Sequence, residues 1–167
     1  MAKKFKSGNE LAAAFLKASA DFQKEVKGIL EFNLGEIETT AIRDAPGPGA
    51  PIKTKFGNET QDNINKHLSP TPISQAISYK IDTSGYSGSV FIESSAGVIA
   101  IYTEFGTGQS AAVYLATLDN EFRAVARRYY INGKGTIIQQ AYLLPAYFQY
   151  QVQFQKELKQ ALKNISL

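Results

Sequence analysis

Residues 77–93 read Ile77-Ser78-Tyr79-Lys80-Ile81-Asp82-Thr83-Ser84-Gly85-Tyr86-Ser87-Gly88-Ser89-Val90-Phe91-Ile92-Glu93. Apolar and polar residues alternate through 77–82, the period-two pattern of a half-buried strand. Thr83-Ser84-Gly85-Tyr86 supplies turn residues, and Val90 and Ile92 then share one face of a returning strand. This hairpin is the clearest β signal in the chain, and helical patterns lie on both sides of it. Helix, hairpin and further helices in that order predict an α+β fold.

Toward the N-terminus, Leu11, Phe15, Ala18, Phe22, Val26, Ile29, Asn33, Ile37 and Ala41 recur every three or four residues. That stripe predicts one long helix over 8–43, capped by Ser7 or Asn9, with Asn33 as a single polar lapse. Gly28 and Gly35 weaken it. Ala45-Pro46-Gly47-Pro48-Gly49-Ala50-Pro51 stops it, because proline lacks the amide that a helix interior needs. Residues 44–73 are expected to form a Pro/Gly-rich and polar loop, with 52–72 extended or partly ordered.

Past the hairpin, Ala96–Phe105 is a mostly apolar run, read as a short helix or a buried strand. Leu115, Leu118, Phe122, Val125 and Tyr129 predict a helix over 111–130. Asn132-Gly133-Lys134-Gly135 breaks it, and 136–140 reads as a short strand. Pro145 sits where a first helical turn tolerates it. Tyr147, Tyr150, Phe154, Leu158, Ala161 and Ile165 then mark a C-terminal helix over 145–165. The expected whole is a single domain, 1–167. A small antiparallel or mixed sheet built around the hairpin fills 74–143 with an inserted helix, and helices flank it.

Composition narrows the chemistry. The chain has 167 residues, is 44% hydrophobic, and has no cysteine, one histidine and one methionine. Disulfide scaffolds, thiol catalysis and cysteine zinc sites are excluded. No apolar run reaches the roughly 18 residues of a membrane span. The charged N-terminus lacks the apolar core of a secretory signal, so a soluble intracellular protein is expected. The net charge of +3 is uneven: residues 8–44 hold seven acids and four bases, whereas 145–167 hold three lysines and one glutamate. That is no dense basic footprint for nucleic acid, but it suits unlike surfaces meeting between copies of the chain.

Candidate reactive groups are few. His67 has no triad partner at a recognised spacing and reads as a surface histidine. Glu36 and Glu38, two apart on a helix, do not face each other. Gly106-x-Gly108 and Gly133-x-Gly135 lack the rest of a phosphate loop and read as turns. Glu104 is expected to anchor backbone amides around the Gly106 turn, or to meet a basic group on an adjacent subunit. Phe105 is expected to bury its ring in the core. No catalytic, cofactor or metal residues are assigned. An assembly component is the expectation, with Lys53, Lys55, Asn58, His67, Arg123, Arg127 and Arg128 as candidate interface residues. The alternative is a nucleic-acid-binding module built on Arg123, Arg127 and Arg128 with Tyr129 and Tyr130.

One block is more specific. Ile99-Ala100-Ile101-Tyr102-Thr103-Glu104-Phe105-Gly106-Thr107-Gly108 resembles the Y-A-x-Y-x-E-F-G-T signature of the head–tail connector and tail-completion proteins of long-tailed double-stranded DNA phages. Further likenesses follow the family's order. A long N-terminal helix ends at Ala45-Pro46 or Ala50-Pro51, Ile73-Ser74-Gln75-Ala76-Ile77 opens a strand, and Tyr142-Leu143-Leu144-Pro145-Ala146 precedes the last helix. Ile99 stands where the family has Tyr, and Ser69-Pro70-Thr71-Pro72 where it has Thr-Gly. The resemblance implies a tail-terminator-like fold and a closed ring, often a hexamer, in the phage neck. Such a ring joins the capsid connector or adaptor to the tail-tube proteins, with genomic DNA passing through its lumen and no catalysis. Glu104, Phe105, Gly106, Thr107, Pro145 and Ala146 are its signature positions here. The expected location is the virion neck or tail, and the host cytoplasm during assembly. The 52–72 loop, the hairpin tip at Thr83–Tyr86 and the outer helices are expected to carry the contacts.

Overall fold

The computed structural model describes residues 8–60, 71–127 and 135–164. The fold is mixed α and β, with a long helix at each end and two small antiparallel sheets between them. Helix α1 spans Gly8–Asp44, 37 residues, and is about 55 Å long at 1.5 Å per residue. Its inner face packs antiparallel on the last helix, α5 (Leu143–Asn164). Val26, Leu30 and Leu34 meet Phe154 and Leu158, and Ile37 and Ala41 meet Tyr147 and Tyr150. The polar lapse in the stripe has a partner. Asn33 is buried, and its Nδ2 donates to the Glu157 carboxylate at 2.7 Å and to the Ile29 carbonyl at 2.9 Å.

The expected hairpin is present as β3 (Ile77–Ile81) and β4 (Gly88–Ile92), with Ile77 opposite Ile92 and Tyr79 opposite Val90. Asp82 organises its turn. Its carboxylate accepts from the Ser84 and Ser87 hydroxyls at 2.7 and 2.9 Å and from the Gly85 amide at 2.9 Å. These bonds hold the Asp82 carboxyl below the usual carboxylate range. The sheet lies against α1, and Leu34 fills the space that a side chain at Gly88 would need. The main core then joins α1, the 73–77 segment, Ala96, Ala100, Tyr142 and Ala146.

Several expectations need correction. Residues 51–60 are not loop but a second hairpin, β1 (Pro51–Thr54) and β2 (Gly57–Thr60). Only Ile52 and Thr54 of β1 are buried, too few residues for a visible alternation. This second hairpin is a two-stranded sheet of its own, in addition to the expected small antiparallel sheet of β3 and β4. Of the two readings of the 96–105 run, the helix is the one present, as α2 (Val98–Phe105). The expected helix over 111–130 is two, α3 (Gly108–Thr117) and α4 (Asn120–Arg127). The break has a local cause, because Asp119 accepts the Phe122 amide at 3.1 Å and so starts a new helix. Segment 136–140 is no strand in a sheet. It makes one isolated bridge, Ile137 to Thr54. Helix α5 starts at Leu143, so Pro145 lies in its first turn, where its missing amide costs nothing. Residues 7, 67, 128–130 and 165 lie outside the described residues, and with them the Ser7 cap, His67, Arg128, the two adjacent tyrosines and Ile165.

Candidate functional site

The Glu104-Phe105-Gly106-Thr107 block forms the junction between α2, α3 and α5. Glu104 lies in the last turn of α2 with its side chain turned inward, 2% exposed. Oε2 accepts the amides of Tyr142 and Leu143 at 2.8 and 2.9 Å, and Oε1 accepts that of Leu144 at 3.0 Å. Leu143 and Leu144 open α5 and Tyr142 immediately precedes it, and the first amides of a helix have no carbonyl partner within it. Glu104 thus caps a helix that begins almost forty residues later, and its charge lies at the favourable end of the helix dipole. Burial raises its pKa, and the three donors oppose that rise. The anchoring role expected for Glu104 is met by the start of α5, not by the Gly106 turn.

Segment 135–142 crosses this junction as a strap. The Thr107 amide donates to the Ile137 carbonyl, and the Ile137 amide donates back to Thr107 Oγ1, both at 2.9 Å. Ser110 Oγ accepts the Gln139 amide at 2.8 Å, and the Gln140 amide reaches the Thr103 carbonyl at 2.8 Å. The approach is close enough to require glycine twice. Gly106 has φ +73°, and a Cβ there would lie 2.9 Å from the Gln139 nitrogen. Gly135 has φ +106°, and a Cβ there would collide with Thr107 Oγ1. The buried Tyr142 hydroxyl donates to the Ala100 carbonyl at 2.9 Å. Burial, with the Glu104 charge nearby, raises the pKa of that phenol. Phe105 is only half-buried and packs in a satellite cluster with Tyr114, Leu115, Leu118 and Leu144, not in the main core. Of the late signature pair, Pro145 is exposed and Ala146 is buried in the main core.

The strap also binds the β1–β2 hairpin on its other side. The Ile138 amide donates to the Lys53 carbonyl and the Lys55 amide to the Thr136 carbonyl, each at 2.8 Å. Lys53, Lys55 and Asn58 themselves are exposed on that hairpin. Arg123 is not a free surface cation. Its Nε donates to the Leu115 carbonyl at 3.0 Å, and its Nη2 to the carbonyls of Ala116 and Leu118 at 3.3 and 2.6 Å. It therefore caps the C-terminus of α3 across the break. Arg127 is exposed at the end of α4.

Sequence reasoning did not find a groove of about 590 Å³ between α1, β4, α4 and α5. Leu30, Leu34, Val90, Phe122, Tyr147 and Phe154 supply most of its apolar wall. Asn33 also lines it, and its buried Oδ1 has no partner among the described residues. Ile37, Val90, Phe122, Tyr147, Tyr150 and Phe154 all stood on apolar stripes read from the sequence, but nothing in the stripes showed that they would line one groove. The Phe122 ring stacks edgewise on Tyr147 and Phe148, at 5.6 and 5.5 Å between centroids.

No helix among the described residues is long and apolar enough to cross a membrane. No family model matches the chain, and neither the curated proteins nor the solved structures include a significant match.

Proposed function

We propose that this chain is a non-catalytic structural protein of the phage neck. It forms a ring that completes the tail and joins the capsid connector to the tail tube, with DNA passing through the lumen. One observation carries the reading. In the block that resembles the family signature, Glu104 spends both carboxylate oxygens on three backbone amides, and Thr107 pairs with the strap through its backbone and its hydroxyl. The block acts as a strut, not as a reactive centre. A strut suits this role, because a ring closes only when each subunit holds its two contact surfaces at a fixed angle. In this reading the protein resides in the virion, after assembly in the host cytoplasm.

The nucleic-acid alternative loses support at its first residue, since the Arg123 guanidinium is bonded to the end of α3. Light scattering and negative-stain imaging of the purified protein, alone and with a connector or tail-tube protein, test the proposal. Rings, alone or on a partner, are the expected result. A monomer that ignores both partners and binds DNA in a salt-dependent manner overturns it.

A further inference from the structure

Helices α1 and α5 face each other through their apolar sides, yet each carries a second strip on its outer side. On α1 this strip is Gly28, Phe32, Gly35, Thr39 and Ile42; on α5 it is Phe148, Val152, Gln155, Lys159 and Leu162. Both step by four, three, four and three residues, so each keeps to one side of its helix for about 21 Å. Phe32 is 53% exposed, Val152 57% and Leu162 51%. A Cβ at Gly28 or at Gly35 would meet nothing within 4 Å. Packing within the chain therefore does not demand glycine at either place. Together they leave a hollow on each side of the Phe32 ring, open to the side chains of an approaching helix.

Charge decides what approaches. From Gly28 to Ile42 the helix carries Glu31, Glu36 and Glu38 and no base. Glu36 is half-buried and accepts from the Tyr150 hydroxyl of the same chain, and Glu31 lies 3.8 Å from Lys27 one turn earlier, so Glu31 and Glu38 are the acids that border the strip. The outer side of α5 carries Lys156, Lys159 and Lys163. Its one acid, Glu157, is half-buried and bonded to Asn33 and Gln153. Two α1 strips would set acid against acid, and two α5 strips would set lysine against lysine. The unlike pair is complementary.

We infer that the outer strip of α1 in one copy of this chain packs against the outer strip of α5 in the next. The contact is heterologous, so every copy offers one strip to each neighbour, and repetition closes a ring when the rotation allows. This inference rests on the ring reading above and names the surfaces that would make the ring.

The native chain has no cysteine, which makes disulfide trapping direct. Gly35→Cys and Gln155→Cys are made as separate full-length variants, both at outer positions, then mixed and mildly oxidised at high micromolar concentration. Circular dichroism confirms that each is folded. The 35–155 disulfide is expected at least tenfold above the 35–35 and 155–155 products. In light scattering, Glu31→Lys with Glu38→Lys should shift the protein to monomer, as should Lys159→Glu with Lys163→Glu. All four changes in one chain should restore the oligomer. Equal or preferred like-with-like disulfides, or oligomers indifferent to charge reversal, overturn the inference. Rings without the 35–155 disulfide overturn this interface and leave the neck reading intact. The disulfide in assemblies that ignore connector and tail-tube proteins upholds the interface and overturns the neck reading.

Discussion

The Glu104 carboxylate and the Leu144 amide, forty positions apart, lie 3.0 Å from each other. This bond and its two companions at Tyr142 and Leu143 fix where the last helix begins. Replacing Glu104 by Gln keeps the volume but turns an amide group toward at least one backbone donor. A buried donor left without an acceptor costs about 1–3 kcal/mol. Glu104→Gln should lower stability by that amount in urea unfolding, and Glu104→Ala by more. An unchanged midpoint for both would refute the strut.

Two kinds of glycine should respond in opposite directions. Gly106→Ala forces a side chain into a positive-φ conformation and against the Gln139 amide. It should destabilise by about 1–3 kcal/mol. Gly28→Ala meets nothing and should stabilise the isolated chain by about 1 kcal/mol, the propensity difference in a helix interior. Thermal melts of the two variants beside the parent check both signs.

Arg123→Ala removes the donor group from three carbonyls at the end of α3. A loss of about 1–2 kcal/mol is expected, in the range of other capping losses, and Arg123→Lys should recover little, because a lysine lacks the planar fork. If the role of Arg123 were instead to contact nucleic acid, stability would hold and DNA affinity would fall.

Asp82 gives the pH dependence. Hydrogen bonds from Ser84 and Ser87 lower its folded pKa, so the unfolded chain binds the proton more readily. The Asp82 contribution to stability is complete above the unfolded carboxyl pKa and is lost as pH falls through the lower folded value. Ser84→Ala with Ser87→Ala should raise the Asp82 pKa, as followed by NMR titration of its side-chain carboxyl. A titration curve that stays in place would show that the hydroxyls do not hold the turn.

Much of the scaffold was legible because it is periodic. The stripe from Phe22 to Ala41, the alternation from Ile77 to Ile81 and the spacing from Tyr147 to Ala161 each repeat often enough to reveal a buried face. The β1–β2 hairpin was not legible, because Ile52 and Thr54 are the buried residues among those whose burial is described there, too few to show an alternation. Nor was the break between α3 and α4. The stripe from Leu115 to Phe122 runs straight through it, and the interruption depends on hydrogen bonds of Asp119 and Arg123 that no periodicity records.

By itself, then, the sequence determined the helical and strand faces that had to be buried, and it marked Glu104 in its apolar run as a group in need of donors. Which donors it found was a tertiary decision. The free amides of α5 come to Glu104 only because Tyr142 and Ala146 are buried beside Ala100. The strap reaches Thr107 only because glycines at 106 and 135 leave room for it. Apolar periodicity is written in neighbouring residues. The partner of a buried polar group depends on contacts tens of residues away, and those exist only once the chain has packed.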